Sequence, residues 1–570
     1  MHFTETSLGS SRSLIDDEKF FLSESGSTNA ELELKKTIEL FYSSKPVKEE
    51  VFCRFQARAI WLDKNYKPTK KRFKCQRYKD WYSSVKSDSV TLVFPASFIN
   101  NPASAFGHTF LKLEAPNKNN TAAYAVNFAA ATGGENAILY ALLGVFGGYG
   151  GYFSVGPYYE RLKKYSDLEN RDIWEFGLNF TSDEIQILLA HVWELREVSS
   201  TYYYFDENCS YHLLALLDAA RPSLNLLDDF SSWVIPSDTV KAINSKPGLV
   251  GEARFRPALG TTLSAWSNKL NGFESNLVKS AIKESNLEIL KADKDNSKLL
   301  DAANDYASYL AFKGKVSEDD IRSLQYKILL SRSQLNSKSV SPIKEIPDSP
   351  LTSHGSMKLG LATGIKEDKG FEEFQLRPAY HELSDLRSGF SQGSQILFLD
   401  TRFRLTEAEG LGLENLAILD IVSAYPRNEF IKTNSWEFST IIEEQDVGYI
   451  QDSHVWESAI GFGASEGGAD FLISIFLDAK FKMNRYLDDN YAFGLGPHLK
   501  FLLYSDESFT SELDYFFTEN VSGDTQASSR AKLRLLYSPD TTSSLEVYLM
   551  RLQEYKQHDF EAGIVLSKYF

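Results

Sequence analysis

A length of 570 residues exceeds what one hydrophobic core usually sustains, so several domains, about three, are expected. A formal charge of −16 excludes a general nucleic-acid binder, whose footprint would be a basic domain or stripe. No run of about 18 apolar residues occurs, which excludes a membrane-spanning helix, while aromatic residues at 13% suit wide sheets or a surface that meets lipid.

Residues 1–85 open on a stretch without the apolar core of a signal peptide, as expected of a cytosolic protein or of one whose leader has been removed. A helix is expected over "NAELELKKTIELFYSS", followed by a segment bounded by Cys53 and Cys75. A local disulfide there would suit an oxidising compartment such as the periplasm and leave Cys209 as an odd, reactive thiol. Three buried thiols in a reducing cytosol would satisfy the cysteine count equally well.

From 86 to 250 the texture is mixed. "SVTLVFPASF", "HTFLKLEA" and "AAYAVNFAAA" are short β-prone runs bounded by Asn, Pro or Gly. The amphipathic "TSDEIQILLAHVWELREVSS" carries a Thr/Ser cap and acidic residues in its first turn, and is expected to be a long helix. Residues 251–350 read as a polar helical linker region ending in "SKSVSPIKEIPDSPLTSHGS", where Pro and Ser preclude a regular element.

From 355 to 570 the period is two. In "FLISIFLDAKFK", Ile473, Ile475, Leu477, Ala479 and Phe481 share one face, and Ser474, Asp478, Lys480 and Lys482 the other. In "QILFLDTRFRL", Leu397, Leu399, Phe403 and Leu405 oppose Asp400, Arg402 and Arg404. About a dozen runs of roughly ten residues predict an antiparallel barrel of about 12 strands crossing a bilayer, closed so that no edge meets lipid. A soluble barrel or sandwich would alternate in the same way with its apolar face inward. Charges recurring on the second face, as in a wet lumen, favour the membrane barrel, and so favour the Cys53–Cys75 bridge. The last strand, with Phe560, Ala562, Ile564 and Leu566 on one face before Phe570, resembles the C-terminal signal of bacterial outer-membrane barrels.

Cysteine chemistry needs a thiolate, a base to make it and a group to orient the base. Cys209 follows "FDEN" and precedes "SYHLLALLDAARP", where Leu213, Leu214, Leu216 and Leu217 have helical spacing. It is therefore expected in a first helical turn, where free N–H groups and the macrodipole lower a thiol pKa. His108 follows a glycine in a β-prone run, and Asn127 in the next run is placed to orient its imidazole. His212, one turn beyond Cys209, is the rival base or else a partly buried helix histidine.

The order of His on a strand, a polar residue on the next strand and Asn-Cys opening a helix resembles the permuted NlpC-type papain-like enzymes, including the lecithin:retinol acyltransferase group. "NPASAFGHTFLKL" together with "FDENCSYHLLALLDAARP" resembles more closely the periplasmic domain of the Lnb family of bacterial lipoprotein N-acyltransferases, over about residues 90–225. The resemblance implies an α+β fold in which a permuted papain-like domain, 86–250, has helical flanks. It implies Cys209 as nucleophile and His108 as base, with Asn127 at a third position where relatives often carry a second His.

An oxyanion hole would use the Cys209 N–H, with Asn208 and Tyr211 in support. The expected reaction is thiol-dependent acyl transfer or lipid hydrolysis on a phospholipid or lipoprotein at the periplasmic face of the outer membrane. The apolar, aromatic "AILYALLGVFGGYGGYFSVGPYYERLKKY", with its basic end, is either a lipid-surface or acyl-chain element or an ordinary hairpin. An NlpC-type peptidoglycan peptidase or amidase is the alternative enzyme. A non-catalytic barrel with a periplasmic plug or scaffold domain is the alternative outside enzymes. There is no Walker-type loop, and His191 has Leu195 rather than a ligand at i+4, so no cofactor and no metal site are expected.

Overall fold

The computed structural model describes residues 3–5, 11–42, 49–66, 74–96, 106–114, 123–133, 143–230, 233–292, 296–315, 317–335, 337–447, 450–506, 508–554 and 557–570. The chain forms two compact units, Met1–Arg256 and Pro257–Phe570. Of the stretches singled out in the sequence, residues 43–44, 67–73, 97–98, 101–105, 115, 122 and 137–142 lie outside the described residues.

In the first unit, helices α1 (Ala30–Tyr42), α2 (Glu49–Arg54), α3 (Gln56–Asn65) and α4 (Gln76–Val85) precede a seven-stranded antiparallel sheet. Its strands are β1 (Ser89–Pro95), β2 (Phe110–Glu114), β3 (Tyr124–Ala130), β4 (Tyr149–Pro157), β5 (Ile173–Leu178), β6 (Ser199–Tyr202) and β7 (Val250–Arg256). In space they run β6-β4-β3-β2-β1-β5-β7. Two helices matter most here, α5 (Ser182–Leu195) and α6 (Cys209–Ala220). A capping box starts α5: Thr181 accepts from the Glu184 N–H, and the Glu184 carboxylate accepts from the Thr181 N–H.

Cys53 and Cys75 form a disulfide with Cα atoms 5.1 Å apart. It is buried with Tyr78, Ala190 and Trp193, so the bridge ties α2 and α4 onto α5. Cys209 is the free thiol. Non-reducing peptide mapping is therefore expected to recover the Cys53–Cys75 pair and a single alkylatable cysteine after denaturation. Recovery of three alkylatable thiols from exported protein would contradict the pairing.

In the second unit, α7 (Leu259–Lys269), α8 (Gly272–Lys283), α9 (Asn296–Phe312) and α10 (Glu318–Ser333) pack around Leu263, Trp266, Val278, Leu299 and Ile328. Phe430 and Ile431 from a barrel loop complete that core, and Lys279 pairs with Glu429 at 2.8 Å. The region read as a linker is thus a bundle with its own buried centre.

The barrel strands are β8 (Lys358–Lys366), β9 (Lys369–Arg377, continued by Ala379–His381), β10 (Ser394–Thr406), β11 (Gly410–Ser423), β12 (Ser435–Val447) and β13 (Ile450–Gly467). They continue as β14 (Phe471–Met483), β15 (Tyr491–Tyr504), β16 (Phe509–Gly523), β17 (Ala527–Asp540), β18 (Ser543–Glu554) and β19 (Gln557–Tyr569). Each pairs antiparallel with its sequence neighbour. The β8–β19 ladder closes the ring, making 12 strands with no free edge.

Along β14, Leu472, Ser474, Phe476, Asp478, Lys480 and Lys482 are buried, while Phe471, Ile473, Ile475, Leu477 and Phe481 face outward. Leu477 is 64% exposed, Phe462 63% and Leu566 62%. Apolar side chains at such exposure, strand after strand, would be unfavourable in water and are the surface a bilayer solvates. Leu397 departs from the expected outward face. It is buried, next to Leu399, whose φ of 51° interrupts the regular alternation of β10.

The lumen is crossed by ion pairs. Arg404 meets Glu373 at 3.0 Å, Glu414 at 3.1 Å and Glu561 at 3.1 Å. Lys482 reaches Glu554 at 3.2 Å and Glu457 at 3.5 Å, and Lys500 meets Asp514 at 2.6 Å. Arg534 bridges Glu382 and Glu512.

Candidate functional site

The strand period sets the two faces of the first unit's sheet. Asn127 and Phe128 are neighbours on β3 and so point to opposite sides. On Asn127's side, Phe110 and Ala125 pack with Tyr158 and Tyr165 from the helical turn Tyr158–Leu162 and its continuation Lys163–Leu168. On the other side Phe128 stacks on His212 of α6, ring centroids 3.9 Å apart.

His108 lies just before β2, after Gly107. Gly107 has a φ of +95°, and a Cβ there would sit 2.8 Å from the Phe94 ring. Both the left-handed backbone and the close approach demand glycine, and together they aim the next residue. The His108 Nε2 is 2.6 Å from Asn127 Oδ1. An amide oxygen only accepts, so Nε2 carries the proton and Nδ1 holds the lone pair of a neutral imidazole. Both side chains are buried.

Cys209 is the first residue of α6. Asn208 caps that helix: its Oδ1 accepts from Ser210 N–H at 3.0 Å and Tyr211 N–H at 3.2 Å, and its Nδ2 donates to Val234 O at 2.6 Å and Tyr204 O at 3.2 Å. With these bonds made, the Asn208 amide orients Cys209 and is not itself an oxyanion donor. The Thr109 N–H lies close enough to the Cys209 sulfur to favour its thiolate, which sets the thiol near the residue that follows His108. Thr109 Oγ1 and Ser210 Oγ are joined at 2.9 Å, a second tie between β2 and α6 at this point.

The electrostatics differ from the expectation of a depressed thiol pKa. Burial pushes the Cys209 thiol up, against the N–H groups that pull it down. Burial likewise drives His108 down to about 3. The charges of Arg171, Lys164 and Arg161 act in the same direction, against the Asn127 bond. At neutral pH Cys209 is therefore a neutral thiol and His108 a neutral imidazole.

His212 and Tyr211 are placed elsewhere. His212 is fully buried, its Nε2 has no hydrogen-bond partner, and burial alone lowers it to about 3. It sits on the Phe128 side of the sheet, whereas His108 bonds Asn127 on the other. The Tyr211 hydroxyl has Asp206, Glu207, Asp228 and Asp218 as its charged neighbours.

Two nearby residues had no role assigned from the sequence. Tyr165 packs 5.4 Å from the His108 ring. Arg171 lies 5.2 Å from the Tyr165 ring and spends its guanidinium on Ala96 O, Pro95 O and Glu169. Tyr165 closes the aromatic stretch singled out in the sequence, but its packing on His108, like the place of Arg171, depends on a fold that brings distant segments together.

Among the described residues, two groups in the second unit have metal-ligand chemistry, His354 with His381 and Asp385, and Glu437 with Asp478 and His498. In each a protein cation already answers a carboxylate at or beside the group: Arg377 pairs with Asp385 at 2.5 Å, and Lys500 with Asp514, which also bonds His498. They read as parts of ion-pair networks.

The two units define a class of protein: an outer-membrane-type barrel, apolar outside and charged inside, in one chain with an α+β domain in which a buried histidine bonds an asparagine and a buried free cysteine opens a helix. Residues 77–246 match the family model described as the Lnb N-terminal periplasmic domain, the family that the motifs around His108 and Cys209 resemble. Models described only as domains of unknown function match 1–65, 253–343 and 347–569. No curated protein matches the chain.

Among solved structures, the KdgM porin in complex with disordered oligogalacturonate is similar at 10% identity, covering 36% of this chain and 97% of that one with a TM-score of 0.23. The NanC porin is similar at 8% identity over 37% of this chain and 100% of that one, with a TM-score of 0.26. A loop-deletion mutant of OmpT, an outer membrane protein of Vibrio cholerae, is similar at 8% identity over 38% and 97%, with a TM-score of 0.21. The lipid-facing belt and the periplasmic-domain match assign the chain to the outer membrane with a periplasmic domain.

Proposed function

We propose that the first unit is a thiol-dependent acyltransferase or lipid hydrolase, with a permuted papain-like arrangement of Cys209, His108 and Asn127. The observation that carries this reading is the 2.6 Å bond between His108 Nε2 and Asn127 Oδ1, on a segment that the Thr109–Ser210 hydrogen bond ties to the helix start holding the buried free thiol Cys209. That bond leaves Nδ1 as the basic nitrogen, and the low imidazole pKa keeps it unprotonated.

Cys209 gives its proton to His108 as the sulfur attacks the acyl ester carbonyl. The tetrahedral intermediate then expels the alcohol, which takes the proton back from the imidazolium. An amine or water attacks the resulting thioester, losing its proton to His108 and restoring the thiol. The Cys209 N–H, at the start of α6, is the oxyanion donor this scheme uses. A phospholipid or lipoprotein substrate suits a periplasmic domain carried in one chain with a membrane barrel.

The test is intact-protein mass spectrometry after exposure to phospholipid. A single acyl adduct is expected, mapping to Cys209 and cleaved by neutral hydroxylamine. An adduct that persists in Cys209→Ala would refute the scheme.

A further inference from the structure

Some cations of the first unit meet a carboxylate and others do not. Arg12, Arg58, Lys112, Arg171 and Arg221 each meet a carboxylate. Arg161 and Lys164 make no ion pair among the described residues, although both lie beside the Cys209–His108 site. Charges without protein counterions, next to a reactive pair, are where an anionic substrate group is expected.

Arg161 is wired to the site. Its Nη2 donates to Ser154 Oγ at 3.1 Å, and that hydroxyl donates to the Asn127 carbonyl at 3.3 Å. Ser154 pairs with Asn127 across the β3–β4 ladder, so the guanidinium is held next to the strand position that orients His108. Lys164 approaches from the helical side, its Nζ 5.5 Å from the centre of the Tyr165 ring, which itself packs on His108.

Ser154 and Lys164 are exposed and Arg161 is half-buried, so this edge of the site is open to solvent while His108 and Cys209 are covered. Arg171, on the same ring, has its donors spent on protein oxygens and contributes field alone. The nearby carboxylates are engaged, Glu169 by Arg171 and Glu160 by the Tyr159 hydroxyl.

We propose that Arg161 and Lys164 form a phosphate-reading subsite that takes the phosphoester of the acyl donor, with Ser154 as its polar floor. A guanidinium fork and an ammonium are the pair of donors that phosphate oxygens favour. This deepens the acyl-transfer reading by naming a glycerophospholipid as donor, and it rests on that reading for the reaction though not for the binding.

The experiment uses the full chain carrying Cys209→Ala, in neutral detergent, with dihexanoylphosphatidylglycerol below its micelle concentration and uncharged dihexanoylglycerol as probes. Calorimetric affinity is expected to favour the phospholipid by about tenfold or more, from charge-assisted hydrogen bonds to phosphate. Arg161→Gln and Lys164→Gln should each remove on the order of tenfold of that preference. Lys164 is exposed, so its substitution tests the subsite without loading the fold.

Displacement of the phospholipid by millimolar inorganic phosphate would support a subsite that reads phosphate from any source. Lack of displacement, with the preference intact, would support one that requires the lipid-borne phosphoester. Equal affinity for the two lipids, or a preference indifferent to both substitutions, overturns the subsite. Because binding is read without the thiol, that failure is distinct from failure of Cys209 to acylate.

Discussion

Cys209→Ser is expected to abolish turnover, and His108→Ala to lower it by on the order of a hundredfold or more. The physical reason is the neutral resting pair. With the thiol raised by burial and His108 held near 3, little thiolate exists before substrate arrives, so the proton must move during attack. A serine hydroxyl in the same place is a far poorer acid, and removing the imidazole leaves no acceptor. The rate of Cys209 alkylation should accordingly keep climbing with pH into the alkaline range, as the raised thiol ionises, and should be slower in His108→Ala at neutral pH. A preformed thiolate–imidazolium pair would instead give a rate that levels off above about pH 5. Asn127→Ala is expected to be milder, since it frees the imidazole to rotate but leaves it present. Full activity in Cys209→Ser would end the thiol mechanism. Silence in His212→Ala with activity retained in His108→Ala would move the base to the other face of the sheet.

In the barrel the largest effect is expected at Arg404. Its guanidinium answers Glu373, Glu414 and Glu561 and lies 3.9 Å over the Phe371 ring, while the Tyr548 hydroxyl bonds Glu561 from the side. Arg404→Ala leaves three carboxylates facing one another in a confined lumen, a loss of about 3–5 kcal/mol by analogy with other broken buried pairs. The readout is the urea midpoint of the folded, heat-modifiable form in detergent. Arg404→Lys should recover only part of the loss, because one ammonium cannot serve three partners in the geometry a planar fork does. A midpoint unchanged in Arg404→Ala would mean that lumen water already screens these charges. Leu477→Ala, on the lipid face, serves as the comparison and should cost far less, because a bilayer solvates either side chain.

Much of this was present in the order of residues, for a local reason. Period-two alternation in "FLISIFLDAKFK" assigns each side chain to a face without reference to any other strand, so the outward Ile473, Ile475, Leu477 and Phe481 and the lumenal Asp478 and Lys480 could be read directly. The cap at Thr181 and the helix start at Cys209 are likewise set within four residues. Position in three dimensions was not local. That His108 bonds Asn127, that Thr109 bonds Ser210 beside the thiol, and that His212 is turned to Phe128 depend on which strands pair and how α6 lies on them. The sign of the Cys209 pKa shift reversed for the same reason. A helix start lowers a thiol pKa through groups one turn away, whereas burial raises it through everything packed around the site, and only the tertiary structure decides how much is packed there. Arg161 and Lys164 show it again: as a short basic run they suggested a surface, and only the β3–β4 pairing and the Tyr165 ring bring them to His108.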